Sequence, residues 1–279
     1  MSGSDKGGSA VKLHKSLDKT KKIRDADPKP VVVGIQPLDA AAETEWSPPA
    51  FTVSARVELD EATLIANRCV CYRSDAPELE YYKVLRAKIQ QIARDKSWNA
   101  VMITSPWTCM GKSLAAVNLA MTFAKAFNQT VMLVDADLRR QQVHRLLGYE
   151  SGLGLADYLV DRRPLQQLVV WPSIEQMTVV SGGRRVENSA ELMGSPRMRA
   201  LVKELKSRYD DRMLLFDAAA VLEGADALQL AALVDGIVVV VSEGETGMRD
   251  VKKAVAMLPA EKLIGYVLTQ PYSAPRRRP

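Results

Sequence analysis

The chain has 279 residues, 47% of them hydrophobic and 25% charged, and its formal net charge is +5. That composition suits one α/β domain with an attached tail, and no apolar run approaches the ~20 residues of a bilayer-spanning helix or forms a signal-peptide core. The basic excess has no stripe interleaved with aromatics, so no nucleic-acid partner is expected, and three cysteines fit a reducing, cytoplasmic compartment.

Residues 1–75 lack sustained periodicity, and Ser, Gly, Lys, Asp and Pro dominate the first thirty. They are expected to form a flexible, largely disordered arm with a short apolar island at Val31–Val33. Cys69-Val-Cys71 has no second Cys or His cluster to complete a metal site. Lys12, Lys15, Lys19, Lys21, Lys22 and Arg24 near the start, and Arg276–Arg278 in a basic tail over 273–279, carry much of the charge excess. Two readings stay open for them: solvated tails, or peripheral contact with an anionic membrane surface or acidic partner. The folded domain is expected over 76–272.

Glu78–Arg94 predicts a helix, because Leu79, Tyr82, Leu85, Ile89 and Ile92 recur at helical spacing. Glu80, Lys83 and Arg86 line one side of it, either as a solvated face or as a subunit contact.

Asn99–Arg140 is the stretch around which the chain is organised. Ala100–Thr104 predicts a strand, Ser105–Ser113 a tight loop, Leu114–Phe127 a buried helix and Val131–Asp135 a second strand. Gly111-Lys112-Ser113 stands where the helix opens, so backbone N–H groups and the helix dipole favour a polyphosphate, with Lys112 reaching the outer phosphates. The Ser113 hydroxyl suits Mg²⁺, and Asp135 and Asp137 supply hard oxygen ligands or a base. Pro106 replaces the first glycine of the usual G-x-x-x-x-G-K-[ST] pattern, and Trp107, Thr108, Cys109 and Met110 are bulky for a loop that must approach a ligand closely.

Further on, Gln141–Leu147 predicts a short helix, Ser151–Leu159 a loop with a helical turn, and Met177–Ser181 a strand entering a glycine turn. Ser189–Met193 and Pro196–Tyr209 predict helices, and Arg212–Asp217 a strand whose terminal Asp217 suits a Mg²⁺ shell. Ala225–Leu233 and Met248–Leu258 predict helices, with Gly236–Val241 and Leu263–Thr269 as strands. The alternation gives an α/β fold, a doubly wound, mostly parallel sheet of the P-loop NTPase kind.

Several stretches together resemble the bacterial tyrosine autokinases of exopolysaccharide export, relatives of the Min and Par ATPases. They are Val134-Asp-Ala-Asp-Leu-Arg139, Asn188-Ser-Ala-Glu-Leu-Met193 with Ser195-Pro-Arg-Met-Arg199, Glu80-Tyr-Tyr-Lys-Val-Leu-Arg86 and Glu243-Gly-Glu-Thr246. The resemblance implies a domain that binds Mg-ATP and transfers the γ-phosphoryl group to tyrosines of a neighbouring subunit in a homo-oligomer. It implies a membrane-embedded polysaccharide co-polymerase, or chain-length protein, as partner. Carried over, Gly111, Lys112, Ser113, Leu114 and Asp217 bind nucleotide, and Ser113, Asp137 and Asp217 organise the metal. Asp135 activates the accepting hydroxyl, Arg139 steadies the acidic loop, and Glu80, Lys83 and Arg86 touch the next subunit. The chain departs from the family pattern at Thr108-Cys109, at Ala218-Ala219-Ala220, at Thr269 where an Asn is usual, and at its end, where Tyr272 replaces a tyrosine cluster. A non-catalytic scaffold of the same fold, or a Min/Par-type ATPase, are the alternative readings.

Overall fold

A computed structural model describes residues 55–127, 129–208 and 211–269. Eight strands form one sheet: β1 (Ala55–Arg56), β2 (Ala100–Thr104), β3 (Thr130–Asp135), β4 (Val169–Trp171), β5 (Met177–Val180), β6 (Arg212–Asp217), β7 (Gly236–Ser242) and β8 (Leu263–Thr269). Their order is β1-β4-β5-β3-β6-β2-β7-β8. All neighbours run parallel except β4 and β5. This is the doubly wound, mostly parallel sheet that the alternating pattern predicts.

The helices are α1 (Glu61–Ala66), α2 (Leu79–Lys96), α3 (Lys112–Ala124), α4 (Val143–Leu147), α5 (Leu155–Asp161), α6 (Ser189–Met193), α7 (Pro196–Arg208), α8 (Asp226–Leu233) and α9 (Met248–Ala256). Alternate strand residues feed two cores, as the pleat requires. Val101, Ile103, Val131, Leu133 and Leu215 join α1–α4 on one face. Met102, Met132, Val134, Leu214 and Phe216 join α5–α9 on the other. Strands covered on both faces read as continuous apolar runs, which is why β2, β3, β6 and β7 stand out in the sequence. Helix α3 is apolar nearly all round because it lies buried against the sheet, with Ala115–Ala124 shielded throughout. Among the described residues no helix is long and apolar enough to cross a membrane.

The structure moves one expected boundary. Residues 55–75, assigned above to the arm, fold onto the domain. Asp60 caps α1 by accepting the Thr63 N–H at 2.8 Å, and Leu64, Cys69 and Cys71 are buried. The Cys71 N–H donates to Asn118 Oδ1 of α3 at 2.9 Å. The tie from Cys71 to Asn118 is long-range, so local periodicity does not reveal it. Val31–Val33, Tyr272 and the tail over 273–279 lie outside the described residues. Gly154 permits a close crossing: a Cβ there would meet Gly183 N and Ser181 O at 2.2 Å each.

Candidate functional site

The C-terminal ends of β2, β3 and β6 meet at one edge of the sheet, where doubly wound folds place their ligand. Asp135 of β3 and Asp217 of β6 are register partners, and Ile103 of β2 pairs with Asp217 on the other side. The chain leaves β2 through Ser105–Gly111 and enters α3 at Lys112. Gly111 turns the corner with φ +80°, a left-handed conformation open to glycine.

Lys112, Asp135, Asp137 and Asp217 are all buried. Lys112 Nζ lies 2.8 Å from Asp137 Oδ2 and 3.3 Å from Asp217 Oδ1, and 3.3 Å from Ser113 Oγ. Burial pulls the Lys112 pKa down, but Asp217, Asp137 and Asp135 outweigh it, so Lys112 holds its proton more tightly than an ordinary lysine. Burial, then the charge of Asp217, pushes the Asp135 carboxyl well above the usual carboxylate range. Burial likewise raises Asp217, against the pull of Lys112 and the Ser113 hydroxyl. Three carboxylates thus face one ammonium.

Asp135 accepts the Asp137 N–H at 3.3 Å and the Val143 N–H at 3.1 Å, and Asp137 Oδ1 accepts the Arg140 N–H at 3.2 Å. Asp217 Oδ2 is buried without a hydrogen-bond donor aligned on it, and the buried Asp137 Oδ2 meets the Lys112 ammonium at 2.8 Å. Buried acceptors rarely stay without a donor. With the Ser113 hydroxyl these two oxygens form a hard-oxygen set that fits a divalent cation.

The absence of glycine between Pro106 and Met110 is offset from outside. Cys109 takes a left-handed φ of +61°, unusual for a residue with a side chain. The Trp107 indole N–H donates to Asp250 Oδ2 at 3.0 Å, and the Thr108 N–H donates to Glu223 Oε1 at 3.0 Å. The Thr246 hydroxyl reaches Met110 Sδ at 3.0 Å. Thr269, where the resembling family carries Asn, donates its hydroxyl to Met110 O at 3.1 Å. The Ala218–Ala220 turn packs buried against β2, with Thr104 Oγ1 donating to Ala219 O at 2.7 Å. Sequence reasoning missed Glu223 and Asp250. Each is more than a hundred residues from the loop, and no local pattern marks it.

The remaining predicted residues separate. Arg139 turns away from the cluster to Asp226 Oδ2 and Ser189 Oγ, each at 2.8 Å, and Ser189 also bonds Asp226. It thereby ties the acidic loop to α6 and α8. Arg139→Ala should cost about 2 kcal/mol of folding stability, the scale of hydrogen bonds to a buried charge, and urea denaturation reads that directly. Leu114 packs against the α1–α4 core, so only its backbone N–H at the helix start is offered to a ligand. Glu80 and Lys83 form an exposed ion pair at 2.6 Å. Arg86 instead donates to Thr122 O in the last turn of α3, where cations suit the dipole.

A family model described as NUBPL iron-transfer P-loop NTPase, of the ParA group, matches residues 96–267. The tyrosine-protein kinase YwqD of Bacillus subtilis is 35% identical over 191 residues, covering 68% of this chain and 79% of that protein. The tyrosine-protein kinase wzc of Salmonella typhi is 28% identical over 149 residues, 53% of this chain. The chain spans 20% of the length of wzc. Among solved structures, the chimerical protein CapA2B2 is 26% identical with a TM-score of 0.66, covering 77% of this chain and 92% of that one.

Proposed function

Because the chain belongs to the bacterial tyrosine-protein kinase family, within the ParA-type P-loop NTPases, we propose that it is an ATP-dependent protein-tyrosine kinase regulating exopolysaccharide synthesis and export. The observation that carries the reading is Lys112, buried at a helix start between Asp137 and Asp217 and beside Ser113. An ATP polyphosphate lies along the loop and the α3 N-terminus, met by the N–H groups of Gly111, Lys112, Ser113 and Leu114. Lys112 Nζ exchanges its carboxylate partners for the outer phosphates. Ser113, Asp137 and Asp217 hold Mg²⁺, which when bound neutralises phosphate charge.

The accepting tyrosine Oη forms a bond to the γ-phosphorus as the bond from that phosphorus to the β,γ-bridging oxygen breaks, and ADP leaves. The phenolic proton passes to Asp135, whose raised proton affinity suits a general base. Arg139 acts by holding the acidic loop in place.

The kinase domain extends beyond the expected 76–272 to take in the folded residues from 55. The exposed Glu80–Lys83 face of α2 supports a homo-oligomeric contact. We place the protein at the inner face of the plasma membrane, held there by a membrane-embedded polysaccharide co-polymerase. The 35% identity with YwqD favours this chemistry over iron transfer.

Incubating the purified protein with Mg-ATP and mapping phosphotyrosine by mass spectrometry tests the reading. Phosphotyrosine that forms with ATP, and not with ADP or in Asp137→Asn, is the expected result. Nucleotide binding with no phosphotyrosine selects the scaffold reading instead.

A further inference from the structure

Glu223 ends the short turn Val221–Glu223 that follows β6. The turn is docked along the start of the phosphate loop: the Val221 N–H donates to Ser105 O at 2.9 Å, and the Leu222 N–H to Pro106 O at 3.1 Å. From there the Glu223 carboxylate points two ways. Oε1 accepts the Thr108 N–H at 3.0 Å, and Oε2 pairs with the Arg140 guanidinium. The Arg140 backbone N–H donates to Asp137 Oδ1 at 3.2 Å, and Asp137 Oδ2 faces Lys112 at 2.8 Å. One unbroken chain of contacts runs from the loop amide, through Glu223 and Arg140, to the carboxylate that meets the loop lysine.

We propose that Glu223 is a positioning residue that fixes the phosphate loop relative to the acidic loop, acting through Thr108 and Arg140. The inference rests on the nucleotide-binding reading above. Its physical basis is the composition of the loop. Between Pro106 and Met110 there is no glycine, and Cys109 is held in a left-handed conformation. A loop of that kind does not relax into a phosphate-binding shape by itself, so its shape is imposed from outside. Among its external ties, the one from Glu223 also reaches the acidic loop. The Arg140–Glu223 pair is partly exposed, with side chains 44% and 21% accessible, so solvent screening keeps its weight in overall folding small. Its weight falls on geometry at the site, where small misplacement is costly.

Calorimetric titration of the full chain with Mg-ADP separates the outcomes. Glu223→Ala should raise Kd about tenfold, the scale of one hydrogen bond to a charged group, while the melting midpoint of the nucleotide-free protein barely moves. Glu223→Gln keeps an acceptor for the Thr108 N–H but turns an amide donor toward Arg140, and should recover only part of that loss. Arg140→Met should weaken binding in the wild-type background and add little in Glu223→Ala, because the two act through one contact. Wild-type binding with an unchanged Kd in Glu223→Ala overturns this inference and leaves the nucleotide site standing. Independent, multiplying effects of the two substitutions overturn it as well. No binding by the wild type overturns the site reading, and this inference with it.

Discussion

Lys112→Ala is expected to abolish Mg-ATP binding and to destabilise the nucleotide-free protein as well. The first effect follows from position, since Lys112 is the ammonium at the start of α3 beside the loop. The second follows from burial. Asp135, Asp137 and Asp217 are buried around Lys112 Nζ, and removing the cation leaves buried carboxylates uncompensated. Breaking one side of a buried ion pair costs about 3–5 kcal/mol. Asp135 and Asp217 already bind protons more tightly than ordinary carboxylates, and one can take up a proton when the ammonium is gone. That relief places the loss near 3 kcal/mol, at the low end of the range. The pH dependence has a definite sign. The Lys112 pKa is raised in the folded state, so its stabilising contribution is fully present below the ordinary lysine value and is lost only as pH rises through the folded one. At neutral pH the wild type therefore keeps the whole contribution. The variant's deficit should grow from pH 5 to pH 8, as its carboxylates are forced to ionise. Urea denaturation at the two pH values measures this, and calorimetry measures binding. A variant that binds Mg-ATP as the wild type does would remove Lys112 from the site.

The parts of this architecture that the sequence announces are those whose signal is local. Strands β2, β3, β6 and β7 show as apolar runs because both faces are covered, and the acidic cluster shows because Asp135 and Asp217 end two of those runs. Lys112 shows because a Gly-Lys-Ser triplet precedes an apolar helix. What stays hidden depends on distant partners. Strand β4 has three residues and β1 two, too few for any period to register. Residues 55–75 have mixed character and no sustained period in the sequence. They are nevertheless pinned by Asn67 Nδ2 on the carbonyls of Arg145 and Leu146, 3.0 Å each, and by Asn118. Thr269 shows the limit most clearly. In the sequence it is an Asn lost from a nucleotide-binding strand end. In the fold its hydroxyl supports Met110 and its methyl lies near Gly111. Arg86 illustrates the converse, since it shares a helix face with Glu80 and Lys83 on paper but is committed to the end of α3. Spacing along one helix identifies a shared face, but not which members of that face another element has already engaged.

Asp217→Asn should separate function from stability in the opposite direction to Lys112→Ala. The Asp217 side chain is fully buried, and burial raises its pKa above the ordinary 3.8. A raised carboxyl pKa means that the folded protein holds the proton more tightly than the unfolded chain. The contribution of this group to stability is then fully present below 3.8 and is lost as pH climbs through the folded value. Above that range the ionised group is a standing cost, met in part by Lys112. Asparagine keeps an oxygen for Lys112 Nζ, now 3.3 Å from Oδ1. It places an amide donor where Oδ2 lacks a donor aligned on it, close to the negative charges of Asp137 and Asp135. The variant should gain about 1 kcal/mol at pH 8, typical of relieving a functional strain. The gain should shrink as pH falls, because the wild-type carboxyl, whose pKa is raised by burial, takes up its own proton. Mg-nucleotide affinity should fall about 100-fold, because a neutral amide is a poor substitute in a hard-anion metal shell. Thermal melts at pH 4 and pH 8, with and without Mg-ADP, measure these three outcomes. A variant less stable than the wild type at pH 8 would show that Asp217 is retained for its pairing with Lys112. A variant more stable yet unable to bind would show a carboxylate kept, against its cost to the fold, for the cation that it holds.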